Sequence, residues 1–224
     1  MKRISIIILC VAVLAMVFAG CNKTTPYDDT YATSTDGSSA AAQESRPEVK
    51  EEFAKLSGKH YVEIDVKDYG TMKLELDADA APITVSNFVD LVNIGFYDGL
   101  TFHRIIDKFM AQGGDPEGTG MGGSNRNITG EFANNGIENN ISHVRGVISM
   151  ARATAKDSAS SQFFIVHEDS TFLDGDYAAF GKVIEGIEVI DAMCEDARAW
   201  NYDGNGGVLK KDQPVINYIK VIEQ

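Results

Sequence analysis

The sequence predicts a mainly β domain over residues 58–224, in which short strands close into a barrel accompanied by two helices; three patterns carry this. Residues 60–77, HYVEIDVKDYGTMKLELD, alternate in polarity on either side of a turn. Six further short apolar stretches follow, at 101–106, 109–112, 146–151, 162–167, 178–184 and 215–222, separated by Gly, Asn and Asp clusters. Only two stretches have helical spacing. Many strands with so few helices point to a closed sheet rather than to alternating βαβ units.

The first hairpin turns at Asp68-Tyr69-Gly70, with Tyr61, Glu63, Asp65 and Lys67 on one face and Val62, Ile64 and Val66 on the other, so one face is buried. The period then changes. In APITVSNFVDLVNIGF (81–96), Val85, Phe88, Val89 and Val92 recur at helical spacing, with Pro82 near the start and Gly95 just past the end. Ile187, Ile190 and Met193 mark the second helix within 186–197. No internal repeat is visible, and about 165 residues suit one domain with a sizeable core.

Upstream, residues 1–21, MKRISIIILCVAVLAMVFAGC, carry Lys2 and Arg3, an apolar run from Ile4 to Phe18, and small residues before a cysteine. That is a secretory signal, too short for the roughly 20 apolar residues of a spanning helix. Phe18-Ala19-Gly20-Cys21 resembles the bacterial lipobox, with Phe18 in place of the usual Leu. The resemblance implies that Cys21 is acylated, becomes the first mature residue and ties the protein to a membrane outside the cytoplasm. Residues 22–45 are Thr, Ser, Asp and Ala without apolar periodicity and read as a tether of roughly 25–30 Å root-mean-square span. The run RPEVKEEFAKLSG (46–58) places Val49, Phe53 and Leu56 as the stripe of a short, loosely docked helix ended by Gly58.

A formal charge of −13, two units more negative once Lys2 and Arg3 leave, argues against nucleic acid or an anionic lipid surface as partner. Of the three cysteines, Cys10 lies in the signal, Cys21 at the lipobox and Cys194 alone in the domain, so no internal disulfide is available.

One charge needs explaining. In FHRIIDKFMAQGGD (102–115), Arg104 is surrounded by Phe102, Ile105, Ile106, Phe109 and Met110, and a guanidinium in apolar surroundings calls for a local acceptor or a ligand. Asp107 is the nearest local acceptor in the sequence. Together with GTGMGG (118–123), GEF (130–132), GVISMARATAKDSASSQFFIVH (146–167) and TFLDGDYAAFGKVIEG (171–186), this run closely resembles the cyclophilin family of peptidyl-prolyl cis/trans isomerases, in order and spacing across residues 60–223.

The resemblance implies an eight-stranded antiparallel closed barrel capped by two helices and rotation about X-Pro bonds as the activity. It also assigns roles: Arg104 as the catalytic donor, Gln112 as its support, and Phe109, Met110, Phe164 and Leu173 as the proline slot. His103, Gln162, Phe172 and Tyr177 form the rim, and the backbone at Ala151 and Arg152 pairs with the peptide. Phe172, Tyr177 and Arg152 stand where many eukaryotic members carry Trp, His and Asn, so weak cyclosporin binding is expected. The implied partners are proline-containing polypeptides, met by a monomer without cofactor or metal.

The chemistry fits those residue types. Nitrogen lone-pair donation into the carbonyl sets a rotational barrier of about 18–20 kcal/mol, and a donor aimed at the prolyl nitrogen competes for that pair. A dry slot that grips the ring favours the twisted amide further. A turnover of order 10² per second requires about 5–6 kcal/mol of barrier lowering.

Rival motifs lack context. GTGMGG fits G-x-G-x-x-G, but neither a helix pattern nor an acidic residue about 20 positions on follows it. His60, His103, His143 and His167 lack metal-ligand spacing, and no nucleophile elbow is present. The remaining alternative is a binding module or holdase that grips proline segments without turnover; intact Arg104 and Gln112 favour the enzyme.

Overall fold

The computed structural model describes residues 48–49, 52–200 and 204–223; the signal, Cys21 and the tether over 22–45 lie outside them. Eight strands form one sheet: β1 (Lys59–Val66), β2 (Gly70–Asp77), β3 (Thr101–Ile106), β4 (Met110–Asp115), β5 (Val147–Met150), β6 (Phe163–Val166), β7 (Ala179–Glu185) and β8 (Ile216–Ile222). Their order is β3-β4-β6-β5-β7-β2-β1-β8, every pairing antiparallel. The mainly β fold with two helices is as expected, but closure is slighter than a complete barrel implies. Edge strands β3 and β8 meet through a Thr101–Val215 bridge, with Phe102 N–H donating to Pro214 O at 2.9 Å and Ile216 N–H to Leu100 O at 2.7 Å. The sheet is a half-barrel curled until its edges touch at a short seam.

Helix α1 (Pro82–Asn93) buries Val85, Phe88, Val89 and Val92, the stripe its spacing predicts. The Phe88 ring lies 5.1–5.6 Å from those of Tyr97, Phe163 and Phe180, which joins the helix to the aromatic centre of the core. Its N-terminus has an unusual cap. Ala81 offers no side-chain acceptor and Pro82 no N–H; instead the buried Glu131 carboxylate accepts from Ile83 N–H (2.9 Å), Thr84 N–H (2.8 Å) and the Thr84 hydroxyl (2.7 Å). Helix α2 (Glu188–Trp200) buries Val189, Ile190, Met193, Cys194 and Ala197. Burial pushes the Cys194 thiol up to about 12, so it is inert.

The helix expected over 46–58 is not formed in its described part: residues 52–57 carry no regular structure. Phe53 and Leu56 pack against the core, Leu56 N–H donates to Ser86 Oγ at 2.8 Å, and the Arg126 guanidinium carbon lies 4.4 Å from the Phe53 ring centre. A helix this short is marginal alone, and the same apolar residues find partners without it.

Strands β5 and β6 are buried along both faces. Ile148, Met150, Phe163 and Ile165 point into the main core, whereas Val147, Phe164 and Val166 join Met110, Leu173 and Ala179 in a second, smaller cluster on the opposite face. Period-2 alternation therefore separates two apolar environments here, not core from water. The second cluster underlies the site.

Candidate active site

Arg104 and Gln112 are direct cross-strand partners on β3 and β4, and Gln112 in turn pairs with Phe164 on β6. This register gathers them on the outer face. They open onto a pocket of about 200 Å³ whose walls include Phe109, Met110, Phe164, Leu173 and Tyr177, with Ala151 and Arg152 along one side.

A directed chain of hydrogen bonds orients the guanidinium. Gln162 Nε2 donates to the carbonyls of Gly120 (3.1 Å) and Gly122 (2.7 Å), so its Oε1 must face the other way, where it accepts from Gln112 Nε2 at 2.8 Å. Gln112 Oε1 is thereby turned toward Arg104 Nη1, 3.4 Å away. Arg104 Nε donates to Asn205 O at 2.9 Å. Asp107, the local acceptor offered by the sequence, is instead taken by Arg198 Nε at 2.8 Å. Nothing in the sequence pattern marks Asn205, because the contact is to a main-chain carbonyl contributed from 101 residues away.

The glycine loop is explained by the carboxylate at its base. Asp115, buried, accepts from the N–H groups of Glu117 (2.8 Å), Thr119 (2.9 Å) and Gly120 (2.5 Å). Burial raises its carboxyl pKa, and these backbone donors overcome that, so the net shift is downward. Donors that a phosphate would need are thus spent on an internal anion. Gly114, at φ 81°, admits no side chain, since a Cβ would stand 2.5 Å from Ser161 O.

A second pocket of about 440 Å³ adjoins the first and shares Gln112, Ala151 and Arg152 with it; Gln162 borders this one. The Arg152 side chain is held by neighbours at the edge of the slot. Its guanidinium lies 5.0 Å from the Phe132 ring centre and 4.9 Å from that of Tyr177, and Nε donates to Asp176 O at 2.9 Å. Phe172 is 72% exposed, its ring 5.6 Å from that of Phe109, a wall of the slot.

His103 is placed differently from the sequence reading. It is buried, not on the rim, and neither ring nitrogen has a hydrogen-bond partner among the described residues. The bulge between Phe102 and Arg104 turns it beneath the glycine loop, where a Cβ on Gly120 would meet its ring at 3.6 Å. His143 also escaped the sequence reading. It sits behind the slot, stacked on Phe164 at 6.0 Å and 17°, with Nδ1 donating to Asp174 Oδ1 at 2.8 Å and Nε2 3.0 Å from Ser149 Oγ. Although Ser, His and Asp form a chain here, Ser149 is wholly buried and reaches no substrate.

Burial lowers the pKa of both histidines, and for His143 the Asp174 bond offsets only part of that. Each is neutral when folded, whereas an exposed histidine in the unfolded chain takes a proton below about pH 6.5. The unfolded state then binds more protons, so stability is lost as pH is lowered, by up to about 1.4 kcal/mol per pH unit for each histidine between its unfolded and folded pKa values. Urea midpoints should drop between pH 7 and pH 5, and His103→Phe should flatten the slope; a pH-independent midpoint would contradict neutral burial.

A curled antiparallel sheet with an arginine at the mouth of a slot lined by Phe109, Met110, Phe164 and Leu173 has the shape and chemistry to receive a compact apolar group beside a polar one. Comparison with known proteins gives that arrangement its family. Residues 61–220 match the family described as Cyclophilin type peptidyl-prolyl cis-trans isomerase/CLD. The chain is 44% identical over 146 residues to peptidyl-prolyl cis-trans isomerase B of Bacillus subtilis, covering 65% of this chain and 92% of the relative. It is 46% identical over 148 residues to a peptidyl-prolyl cis-trans isomerase of Helicobacter pylori, covering 65% and 86%. A crystal structure of a Cryptosporidium parvum cyclophilin type peptidyl-prolyl cis-trans isomerase superposes with TM-score 0.65 at 30% identity, over 75% of this chain and 99% of that one. The same Cryptosporidium protein has been solved in the presence of the dipeptide Ala-Pro, with TM-score 0.63 at 31% identity over 73% and 99%. The chain belongs to the cyclophilin-type peptidyl-prolyl cis-trans isomerase family, and its activity is that of the family.

Proposed function

We propose that the protein is an exported, lipid-anchored prolyl isomerase, with Arg104 as the donor to the twisting amide and the 200 Å³ pocket as the slot for the proline ring. The observation that carries this is the guanidinium held at the slot mouth by the chain Gln162–Gln112–Arg104. Phe109, Met110, Phe164 and Leu173 grip the ring and exclude water. Arg104 donates toward the prolyl nitrogen and carbonyl, withdrawing the lone pair that holds the bond planar, while the acyl side turns. Ala151 and Arg152 border the slot where an extended peptide would run; Ala151 N–H is already donated to Gln162 O at 2.9 Å, so pairing with the peptide falls to the other main-chain groups of the two residues. The test is turnover of a short Xaa-Pro peptide, followed by protease coupling or exchange NMR; binding without turnover would instead favour a holdase.

The address rests on residues 1–21. No helix among the described residues is long and apolar enough to cross a membrane, and the lipobox-like Phe18-Ala19-Gly20-Cys21 is what supports retention through a lipid on Cys21. Because one acyl chain binds only marginally and two or more anchor stably, a diacylglyceryl cysteine should keep the protein in the membrane fraction. Cys21→Ser should release it or stall processing; a fully processed mutant still in membranes would remove the lipid anchor.

Phe172 bears on inhibitors. Relative to an indole at this position it lacks an N–H donor and some apolar area, together worth roughly tenfold to a hundredfold in cyclosporin affinity. Phe172→Trp should therefore tighten inhibition by that factor while leaving peptide turnover unchanged. Equal inhibition constants would show that residue 172 does not set affinity.

A further inference from the structure

The turn joining β3 to β4 carries Lys108 at φ 62°, in the left-handed region that side chains disfavour. Such a turn persists because its surroundings fix it. The turn is closed by its own bond, Phe109 N–H to Ile106 O at 3.0 Å, and His167 braces it from outside twice. Its own N–H donates to Phe109 O at 2.8 Å, and its ring Nδ1 accepts from Lys108 N–H at 2.9 Å. Phe109 and Met110 come next in the chain and form walls of the slot.

We propose that His167 is a positioning residue for the slot and that protonating it releases the β3–β4 turn. Accepting from Lys108 N–H requires a lone pair on Nδ1, so the proton of the neutral ring sits on Nε2, which donates to Asp191 Oδ1 at 3.1 Å. A proton taken from solvent at Nδ1 turns that acceptor into a donor. Lys108 N–H then loses its partner and faces another N–H, while the new donor has Asp107 Oδ1 at 3.6 Å. The ring thus has two alternative attachments, to the Lys108 amide when neutral and to the Asp107 carboxylate when charged.

The neighbouring groups allow this exchange without dismantling the site. Asp107 also accepts from Arg198 of α2, and Asp191 of α2 accepts two bonds from Arg145, at 2.7 and 2.8 Å. Arg145 also donates to His167 O at 2.8 Å. Lys108 is the remaining cation of the turn, and Cys194 lies buried and neutral on α2. Both carboxylates already have arginine partners, and a charged imidazole shares Asp107 with Arg198. Acid therefore favours the arrangement in which Phe109 is less firmly held.

The inference rests on the slot proposed above, but the Lys108 amide reports the switch without substrate, so failure of one is distinguishable from failure of the other. The experiment follows the Lys108 amide by ¹⁵N NMR, and KM on an Ala-Pro peptide by exchange NMR, between about pH 8 and pH 5, where histidine changes charge. Circular dichroism checks that the protein stays folded. In wild type the amide should shift as pH falls, with KM rising about threefold or more at the same midpoint, as expected for a misplaced wall. His167→Asn keeps an acceptor near the Nδ1 position and does not titrate, so it should retain neutral-pH kcat and KM and lose both changes. Asp107→Asn keeps an oxygen acceptor but removes the negative charge that favours the protonated ring, and should move the amide midpoint to lower pH. An acid rise in KM undiminished in His167→Asn, or a Lys108 amide unmoved by pH in wild type, would overturn the proposal; should His167→Asn fail to fold, an unaltered midpoint in Asp107→Asn would do so.

Discussion

Replacing Arg104 by alanine is expected to lower kcat/KM by at least tenfold, and by as much as about a hundredfold, with the fold intact. In the proposed mechanism the guanidinium makes a charge-assisted hydrogen bond that strengthens as the amide twists, and such bonds contribute about 1.5–3 kcal/mol, or roughly ten- to 150-fold in rate. Because the interaction belongs to the transition state, kcat should fall more than KM rises. The groups left behind, Gln112 Oε1 and Asn205 O, lie near the pocket mouth and can be hydrated, so stability should change little. Arg104→Lys should recover little of the loss. Lysine keeps the charge but lacks the fork that donates to Asn205 O from Nε while presenting Nη1 to Gln112. Turnover of the alanine variant at the wild-type rate, with unchanged circular dichroism, would remove Arg104 from the mechanism.

The largest expected loss of stability comes from Glu131→Ala. This carboxylate is the side-chain cap of α1, accepting three hydrogen bonds from Ile83 and Thr84 at 2.7–2.9 Å. Removing it strands one buried and one half-buried backbone donor at the positive end of a helix dipole. With each charge-assisted bond worth about 1.5–3 kcal/mol and imperfect additivity, the variant should lose about 3–5 kcal/mol. That is a large share of a typical 5–15 kcal/mol and corresponds to a Tm about 6–20 °C lower for a domain of this size. Glu131→Gln keeps an acceptor oxygen and should lose less than half as much. Since α1 packs on the core through Phe88 and contributes nothing to the slot, kcat per folded molecule should be preserved. A Glu131→Ala urea midpoint within experimental error of wild type would show that the helix terminus is satisfied in another way.

These two residues also show what was legible in the sequence. Arg104 drew notice as a charge among apolar neighbours, and the family motifs around it brought nine of the expected site residues to one pocket. Strand β3 has the bounds that its apolar run suggests, and α1 follows its stripe. The remainder was hidden for definite physical reasons. Glu131 and the helix it caps are 47 residues apart, and nothing in local pattern links an acidic residue in a loop to a distant N-terminus. Asn205 acts through its carbonyl, which every residue type possesses. His103 was placed on the rim by the family resemblance, whereas a bulge between Phe102 and Arg104 interrupts the ladder at this position and the residue is buried. The segment at 52–57 was read as helix from three apolar residues whose spacing served contact with the core equally well.

The burial of β6 on both faces has a consequence for folding fidelity. In Phe163-Phe164-Ile165-Val166 every side chain is apolar, so slipping the strand by one residue exchanges one oily set for another, and hydrophobicity imposes almost no penalty on the error. Discrimination must come from elsewhere. It comes from polar and steric fit beside the strand: Gln112 Nε2 meets Gln162 Oε1 at 2.8 Å in this register, and Gly114 leaves the room that Ser161 O needs, where a Cβ would stand 2.5 Å away. The amide pair that aims the guanidinium is thus also the proofreading device of its own sheet. Changes at Gln112 should leave their mark on refolding yield before any effect on catalysis is measured.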